Sequence, residues 1–547
     1  MNYRESYGRS PEWWRQDKQD YIFNRHWMEV AAKADKDHVI DLPPKQSVED
    51  SGLPYNNYGK VGLVLWHDAN GQDILPVGLI GHKDGKTVFC YHPEYAADKS
   101  LPAISKSLPK NKLRHVWPPE DMPGELATKK GQKTLLPFFD NLVSEGALGM
   151  AQENACNVLK NIFKKYNGKD DRTREPYTAV ADFEAADNAK HRFSRLLTFG
   201  RGFHGAVSVV DIAMPDKIAG FEQELTLQSM GTVGGRNPKS LGVKDGDVYK
   251  IAPRNADSGY ILKFHNPEFR GPDIVNNEYL NYVATNILLQ DSGDKTAEYD
   301  IASIDLPTQS ASPESRTMRK ETAFIVKRFD RGKKGRIHFE EALQMMGHPA
   351  EDKDEKSYED LGKLTHALMG KEGVKKIYRR ILAQLALGNT DGHLKNFAFW
   401  YERGDGTWDL TPNYDLVSSA QYSAYDENRR RWFPCDTLAL KFRDHDHNHG
   451  LGELNAKRLL LLGEALGLSK EEAKTIMDDI KQKIPKAMDA IRQLKSPEIS
   501  GHPVISQQEK DTFANHMQSY CNQQYGTLDR YWQCVASKRG GEGAQRG

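Results

Sequence analysis

Cysteine is scarce in this chain: five among 547 residues, Cys90, Cys156, Cys435, Cys521 and Cys534, with no Cys-x2-Cys pair. Few, scattered and odd in number, they suggest neither a disulfide framework nor a zinc ribbon. Net charge is also missing, because 76 Lys and Arg balance 76 Asp and Glu. No global electrostatic bias toward nucleic acid follows, although a local basic patch stays open. The N-terminus has no apolar signal core, and no run approaches membrane-spanning length, so a reducing, cytoplasmic setting without membrane is expected. A nucleophile elbow with Ser-His-Asp order is absent, which leaves hydrolase readings little support. His-Arg-Asp and Asp-Phe-Gly are absent too, which excludes an ordinary eukaryotic-type protein kinase.

What is present is length for two or three domains with real cores. One stretch carries chemistry: Gly388-Asn389-Thr390-Asp391-Gly392-His393-Leu394-Lys395-Asn396, followed by Pro412-Asn413-Tyr414-Asp415. Asp391 and Asn396 have the Asp-x4-Asn spacing of a phosphoryl-transfer loop, in which the Asp takes the proton of the attacking hydroxyl and the Asn binds Mg²⁺. Asp415 stands where a second Mg²⁺-binding carboxylate would enter. Asp-x4-Asn alone is a cheap spacing, equally met in a polar turn, so its context decides.

That context is favourable. Ile377, Ile381, Leu382 and Leu385 recur at helical spacing, and Gly388-Asn389 reads as the cap that ends the helix. Phe397–Trp400 reads as a short strand, Arg403–Gly406 as a turn, and a return strand is expected near Trp408. The two ends of that hairpin would bring Asp391, Asn396 and Asp415 together. Lys395, beside Asn396, could stabilise charge on the transferred group. His393 could shuttle a proton or simply hold the loop.

Upstream, Tyr260–Phe264 is a strand carrying Lys263. Asp273 could cap the next helix, which presents Glu278 and then Leu280, Val283 and Ile287. A strand lysine followed by a helix glutamate is how kinases build the ion pair that orients the α- and β-phosphates. An edge-strand lysine facing water is the bland alternative. Phe324-Ile325-Val326 makes an apolar strand, a natural connector where adenine would stack. Ser229–Lys239 is rich in glycine, and glycines let backbone N–H groups approach phosphate oxygens. It is neither a Walker A loop nor the Gly-x-Gly-x-x-Gly loop of ordinary kinases.

Taken in order, these segments resemble the HipA-like serine/threonine kinases, the toxin components of bacterial type II toxin–antitoxin modules. Asn389–Asn396 with Tyr414-Asp415 is similar to their catalytic core, and Lys327–Arg331 to the segment after their inter-lobe strand. His338–Leu343 with Gly347 resembles their following histidine-led helix. Tyr91–Tyr95, Leu136–Leu142 and Phe199–Ala206 resemble their N-terminal subdomain. The resemblance covers about Gly59 to Leu494. It implies an α+β, two-lobed protein-kinase-like fold with a strand-rich N-terminal subdomain and an all-helical C-terminal lobe. It also implies transfer of the γ-phosphoryl group of ATP to a protein, with translation components as the family's usual targets.

By the same resemblance, Asp391 is the base and Lys395 a catalytic cation. Asn396 and Asp415 hold Mg²⁺. Lys263, Glu278, Gly234, Gly235, Lys239 and Phe329 contact ATP, and Thr232 or Ser229 is the residue the enzyme phosphorylates on itself. The phosphate loop departs from the family's commoner form at Arg236-Asn237-Pro238-Lys239, so its register stays open by about one residue. A small DNA-binding, HipB-like antitoxin is the implied partner, with nucleic acid reached only indirectly through it. Two other classes stay open: a pseudokinase or regulatory ATP-binding module, and a transferase that moves AMP or phosphorylates a small molecule.

The expected organisation is an extension over 1–58, the N-terminal subdomain over 59–215, a nucleotide-gripping lobe over 216–330, a helical catalytic lobe over 331–535 and a disordered tail over 536–547. Ser10-Pro11-Glu12 starts a helix carrying Trp13, Trp14 and Trp27. Val61, Leu63 and Leu65 alternate, and Asp84-Gly85 marks a hairpin. Lys164–Lys190 and Gln290–Lys320 read as surface insertions. Ser469–Glu472 is a capping box ahead of an Ile476, Ile480, Ile484, Met488 stripe that packs. Asp444–His449 offers metal-ligand residue types, but an exposed polar loop usually only solvates them.

Overall fold

The computed structural model describes residues 61–526, apart from 70–73, 84, 144–151, 154–155, 157–187, 212–238, 253–257, 266–269, 308–317, 334, 402–406, 427–428 and 443–447. The expected N-terminal extension, most of the Lys164–Lys190 stretch, the glycine-rich loop from Ser229 to Pro238, the Arg403–Gly406 turn, Asp444–His447 and the C-terminal tail fall outside the described residues.

Mixed helix and strand is what the chain forms. Five antiparallel strands make the front sheet: β1 (Val61–His67), β2 (Ile74–Lys83), β3 (Lys86–Tyr91), β4 (Arg114–Trp117) and β5 (Val207–Asp211), in the order β4-β3-β2-β1-β5. A two-residue connection with Gly85 at φ +74° joins β2 to β3, the left-handed geometry a tight hairpin asks for. The sequence reading of β1 rested on the alternating Val61, Leu63 and Leu65. The structure buries both faces, with Leu63 and Leu65 on one side and Val64 and Trp66 on the other. The strand is paired on both edges, by β2 and β5. Helices α1 (Pro137–Leu142) and α2 (Ala189–Phe199) complete this block, whose core gathers Phe89, Tyr91, Phe138, Phe139 and Phe193.

A second antiparallel sheet follows: β6 (Lys239–Asp245), β7 (Val248–Ile251), β8 (Tyr260–Phe264), β9 (Tyr299–Pro307) and β10 (Met318–Lys327), ordered β7-β6-β8-β10-β9. Helix α3 (Ile274–Leu288) crosses it, and Asp273 accepts the Val275 N–H at its start. The stretch expected as a surface insertion over Gln290–Lys320 instead supplies β9 and the start of β10. β9 is an edge strand with Asp300 and Asp305 facing water and Ile304 and Leu306 buried, so half its residues read as polar. Phe324, Ile325 and Val326 are fully enclosed in β10, with Phe324 under the Tyr282 and Tyr299 rings. Arg328–Arg331 connects the end of β10 to the rest of the chain.

Beyond it the chain is mainly helical. His338 does not lead a helix directly. Phe339–Glu341 forms β11, and only Ala342–Met345 turns helical. Ser357 then caps α4 (Tyr358–Ala386), two helical runs joined at Gly370, whose φ is +64°. β12 (Ala398–Trp400) and β13 (Asp409–Leu410) form the expected hairpin beside β11. Helices α5 (Lys470–Gln493) and α6 (Gln507–Tyr525) close the block. The Ser469 box caps α5, and its Ile476, Ile480, Ile484 and Met488 stripe is buried. Among the described residues no helix is long and apolar enough to cross a membrane, and no His, Cys, Asp and Glu cluster could hold a metal ion.

The blocks interlock through buried charge. Arg328 and Arg331 both grip Asp330, and all three reach the turn after α2: Arg328 and Arg331 donate to Phe203 O at 3.0 and 2.8 Å, and Gly205 N–H donates to Asp330 at 2.8 Å. Glu340, fully buried in β11, accepts from Ser105 Oγ at 2.5 Å and Lys106 N at 3.0 Å. Asp140 accepts from Arg192 and from the Ala350 N–H.

Candidate active site

The site lies where β8, α3 and the loop after α4 converge. α4 ends at Leu387, and Gly388 follows at φ +73°. A side chain there would also collide with the Tyr520 ring, so glycine is required twice over. The loop is then fastened at each residue. Asn389 N–H bonds Gln384 O at 2.9 Å, and the Ser419 hydroxyl accepts from the N–H groups of Thr390 and Asp391 at 2.7 and 3.1 Å. Thr390 Oγ1 donates to Cys435 O at 2.6 Å. Ser419 had no motif to announce it. Its role exists only because the chain returns after Asp415.

Asp391 and Asn396 are joined: Asn396 Nδ2 donates to Asp391 O at 3.1 Å. That leaves the amide oxygen of Asn396 as its ligand atom. The Asp391 carboxylate is exposed to the cleft at its tip, and no hydrogen bond or ion pair holds it among the described residues. Crowding by the cleft walls and the nearby Asp415 and Asp354 raise its pKa to about 6, with Lys353 and Lys239 pulling the other way. Lys353 comes from the segment before α4, where its carbonyl accepts the Leu394 N–H at 3.3 Å, and the sequence did not single it out. His393 is buried, and burial and Lys353 push its pKa down to about 3, so the ring stays neutral at pH 7.

Asp415 adopts φ +55°, a left-handed conformation that aspartate tolerates better than most residues but that still costs on the order of 1 kcal/mol or more. Its N–H is held by the Tyr282 hydroxyl at 3.2 Å. Its carboxylate meets Lys263 Nζ at 2.5 Å and Lys239 Nζ at 3.3 Å. Lys263 Nζ is also 2.5 Å from Glu278 Oε2, so the strand lysine and the helix glutamate form the ion pair. Burial alone would lower the Lys263 pKa, but Asp415 and Glu278 hold it above the usual range. Burial works upward on Asp415, yet Lys239 and Lys263 keep it far below the carboxylate range. Pairing thus favours the charged forms of Lys263 and Asp415, whereas at Glu278 burial outweighs the pull of Lys263 and raises the pKa.

Lys395 Nζ faces Glu341 at 3.2 Å and Asn141 at 3.1 Å, so its charge is already engaged. Phe329 sits on the connector, packed against Phe339, Tyr414 and Trp400. Ser229, Thr232, Gly234 and Gly235 lie outside the described residues. Lys239 is the one described member of that loop, and its Cα pairs in register with Lys263.

A buried lysine–glutamate pair on strand and helix is set against an Asp-x4-Asn loop and a returning Asp, and residues 231–488 match the family model of the HipA-like C-terminal domain. Across more of its length the chain is similar to "Putative kinase Y4dM" of Sinorhizobium fredii, at 25% identity over 66% of this chain and 77% of that protein. It is also similar to a "Putative kinase" of Haemophilus influenzae, at 27% identity over 50% of this chain and 77% of the relative. The fold is shared with HipA from the Shewanella oneidensis HipA, HipB and operator DNA complex. That match has a TM-score of 0.55 and 17% identity, and covers 85% of this chain and 98% of that one.

Proposed function

We propose that the protein is a serine/threonine protein kinase that moves the γ-phosphoryl group of ATP to a hydroxyl of a target protein. The observation that carries this reading is the Asp391 carboxylate, unpaired among the described residues, beside an Asp415 held by Lys263, which Glu278 also pairs. The second sheet and the helical block are the two lobes of a protein-kinase-like fold. The bond from the acceptor oxygen to phosphorus forms, the bond from the γ-phosphorus to the ADP oxygen breaks, and the acceptor proton passes to Asp391. With a pKa near 6, Asp391 is ionised at neutral pH and close to the value that suits a general base.

Lys263 and Lys239 supply the cationic groups that receive the phosphates, and Glu278 keeps Lys263 oriented when phosphate oxygens replace Asp415 as its partner. The Asp415 carboxylate and the Asn396 amide oxygen are hard oxygen donors that fit Mg²⁺. Bound there, Mg²⁺ would neutralise charge on the phosphates. Thr232 and Ser229 are the candidates for self-phosphorylation. A small DNA-binding antitoxin is the proposed partner, by analogy with the HipB in the Shewanella complex, so that DNA is reached only indirectly. The test is incubation with Mg²⁺ and γ-labelled ATP, wild type beside Asp391→Ala, with mapping of the labelled residue. Transfer should fall by roughly two to four decades in the variant while ATP binding survives. Equal labelling of both proteins would remove Asp391 from the role of base.

A further inference from the structure

The segment from Gly347 to Ser357 runs past the catalytic loop. It carries Asp354, which lines one cleft of about 440 Å³ together with Asp391, and Lys353 beside it. Much of what fastens this segment comes from the front block. Asn141 Nδ2 donates to His348 O at 2.8 Å, and the Asp140 carboxylate accepts the Ala350 N–H at 2.9 Å. The next two side chains converge on one ammonium: Lys130 Nζ meets Glu351 and, at 2.8 Å, Asp352. Lys130 stands in the last turn of the helix Gly124–Lys133, 222 positions before Asp352.

Three properties tie this ammonium to the site. First, the turn it grips leads straight into the catalytic loop. Ala350–Asp352 is a single 3-10 turn, after which the Lys353 N–H donates to Ala350 O and the Lys353 carbonyl accepts the Leu394 N–H, both at 3.3 Å. Second, Lys130 is largely covered. Its side chain is 19% exposed, against 48% for Lys133, which reaches Glu351 at 3.3 Å. A lone exposed pair contributes little, but one covered ammonium shared by neighbouring carboxylates fixes the turn that bears them. Third, the turn delivers charge to the base. Asp415 and Asp354 push the Asp391 pKa up, Lys353 and Lys239 pull it down, and Cys435 also faces it. Of the two groups that the turn carries, Lys353 weighs more at Asp391 than Asp354 does.

We propose that Lys130 is a positioning residue for phosphoryl transfer: by gripping Glu351 and Asp352 it holds the turn that sets Lys353 against the loop of Asp391 and Asn396. This rests on the reading of Asp391 as the base of a phosphoryl-transfer enzyme. The front block thereby bears on the state of the base through a turn that it does not itself contain.

The experiment uses the full chain, Mg²⁺ and γ-labelled ATP, with the single-turnover rate of label transfer followed across the acidic limb of its pH profile. Lys130→Met should slow transfer roughly tenfold, less than a full ångström of misplacement can cost, and move the limb to higher pH. Lys130→Arg should stay within twofold of wild type. Lys130→Met combined with Lys353→Met should be no slower than Lys353→Met alone. Glu351→Gln with Asp352→Asn separates position from charge, and serves if Lys130→Met does not fold. Carboxylates acting only through their field would, once removed, move the limb to lower pH, whereas a loosened turn moves it to higher pH. A limb at lower pH in that variant, effects that multiply when Lys130→Met and Lys353→Met are combined, or an unmoved limb in folded Lys130→Met would overturn the proposal. Hydrogen exchange reads the link without activity: Lys130→Met should speed exchange at least threefold over residues 350–357 and at Leu394, and equal exchange would overturn the proposal. A wild type that transfers no label overturns the reading of Asp391, and the role of Lys130 in transfer with it, whatever the exchange shows.

Discussion

Lys395 Nζ stands 3.1 Å from Asn141 Oδ1, tying the loop that bears Asp391 to a residue 254 positions earlier in the chain. The same ammonium lies 3.2 Å from Glu341. The loop's geometry therefore depends on α1 of the front block, which carries no phosphate-binding group of its own.

Lys395→Met should lower both stability and kcat, because it withdraws the charge from Glu341 and Asn141 together. A loss of about 1–3 kcal/mol is the usual scale for a buried charge-assisted bond. Asn141→Ala should reproduce part of both effects, and the double variant should be little worse than Lys395→Met alone, as partners in one contact are not additive. Urea unfolding with single-turnover rates decides the matter. A Lys395 that acted directly on the transferred group would leave kcat of Asn141→Ala at the wild-type value.

The pH profile should report Asp391. A base with pKa near 6 gives a kcat/KM that climbs with pH up to about 6 and then levels. Lys353 holds that carboxylate down, so Lys353→Met should move the acidic limb to higher pH. Asp354 pushes it up, so Asp354→Asn should move the limb to lower pH. Shifts in the same direction for both variants would separate the limb from Asp391.

Lys263→Met leaves Glu278 buried without its cation and takes one of the two ammonium groups from Asp415. Removing one member of a buried pair typically costs about 3–5 kcal/mol. The variant should show a matching drop in denaturation midpoint and at least a tenfold rise in the Kd for ATP, read by calorimetry. Unchanged ATP affinity would place the phosphates elsewhere.

Asp330→Asn should loosen the junction between the front block and the connector. Burial works upward on the Asp330 pKa, but Arg328 and Arg331 hold it well below the carboxylate range. Its contribution is therefore present above the unfolded carboxylate pKa of about 3.9 and is lost as pH falls below it. The variant should be destabilised by about 3–5 kcal/mol at pH 7, and the gap to wild type should shrink as pH drops below about 4. Thermal unfolding at several pH values measures it.

The site was legible where its chemistry is local. Asp391 and Asn396 sit in one loop, Asp415 returns across one hairpin, and Lys263 and Glu278 belong to consecutive elements, so spacing alone brings them near. Ser419, Tyr282 and Lys353 were not legible, because each acts through a contact that only the tertiary fold creates. Lys395 was read from its neighbours in sequence, while its partners are Glu341 and the distant Asn141. The same limit governed the fold. The apolar, periodic helices α4 and α5 announced themselves, whereas β9 was hidden because Asp300 and Asp305 on this edge strand face water and make the stretch read as polar. β1 was read only from its alternating Val61, Leu63 and Leu65, whereas packing buries Val64 and Trp66 on the other face as well.

The clamp of Arg328, Asp330 and Arg331 on Phe203 and Gly205 has a practical consequence for dissecting the protein. A fragment cut at the borders of the family match, residues 231–488, would keep both arginines and the aspartate but lose the backbone they grip. It would also strip Ser105 from the buried Glu340, and Gln524 from the Leu385 carbonyl at the end of α4. The recognisable catalytic sequence and the smallest piece able to stand alone are thus different objects, and expression trials should start from the longer one.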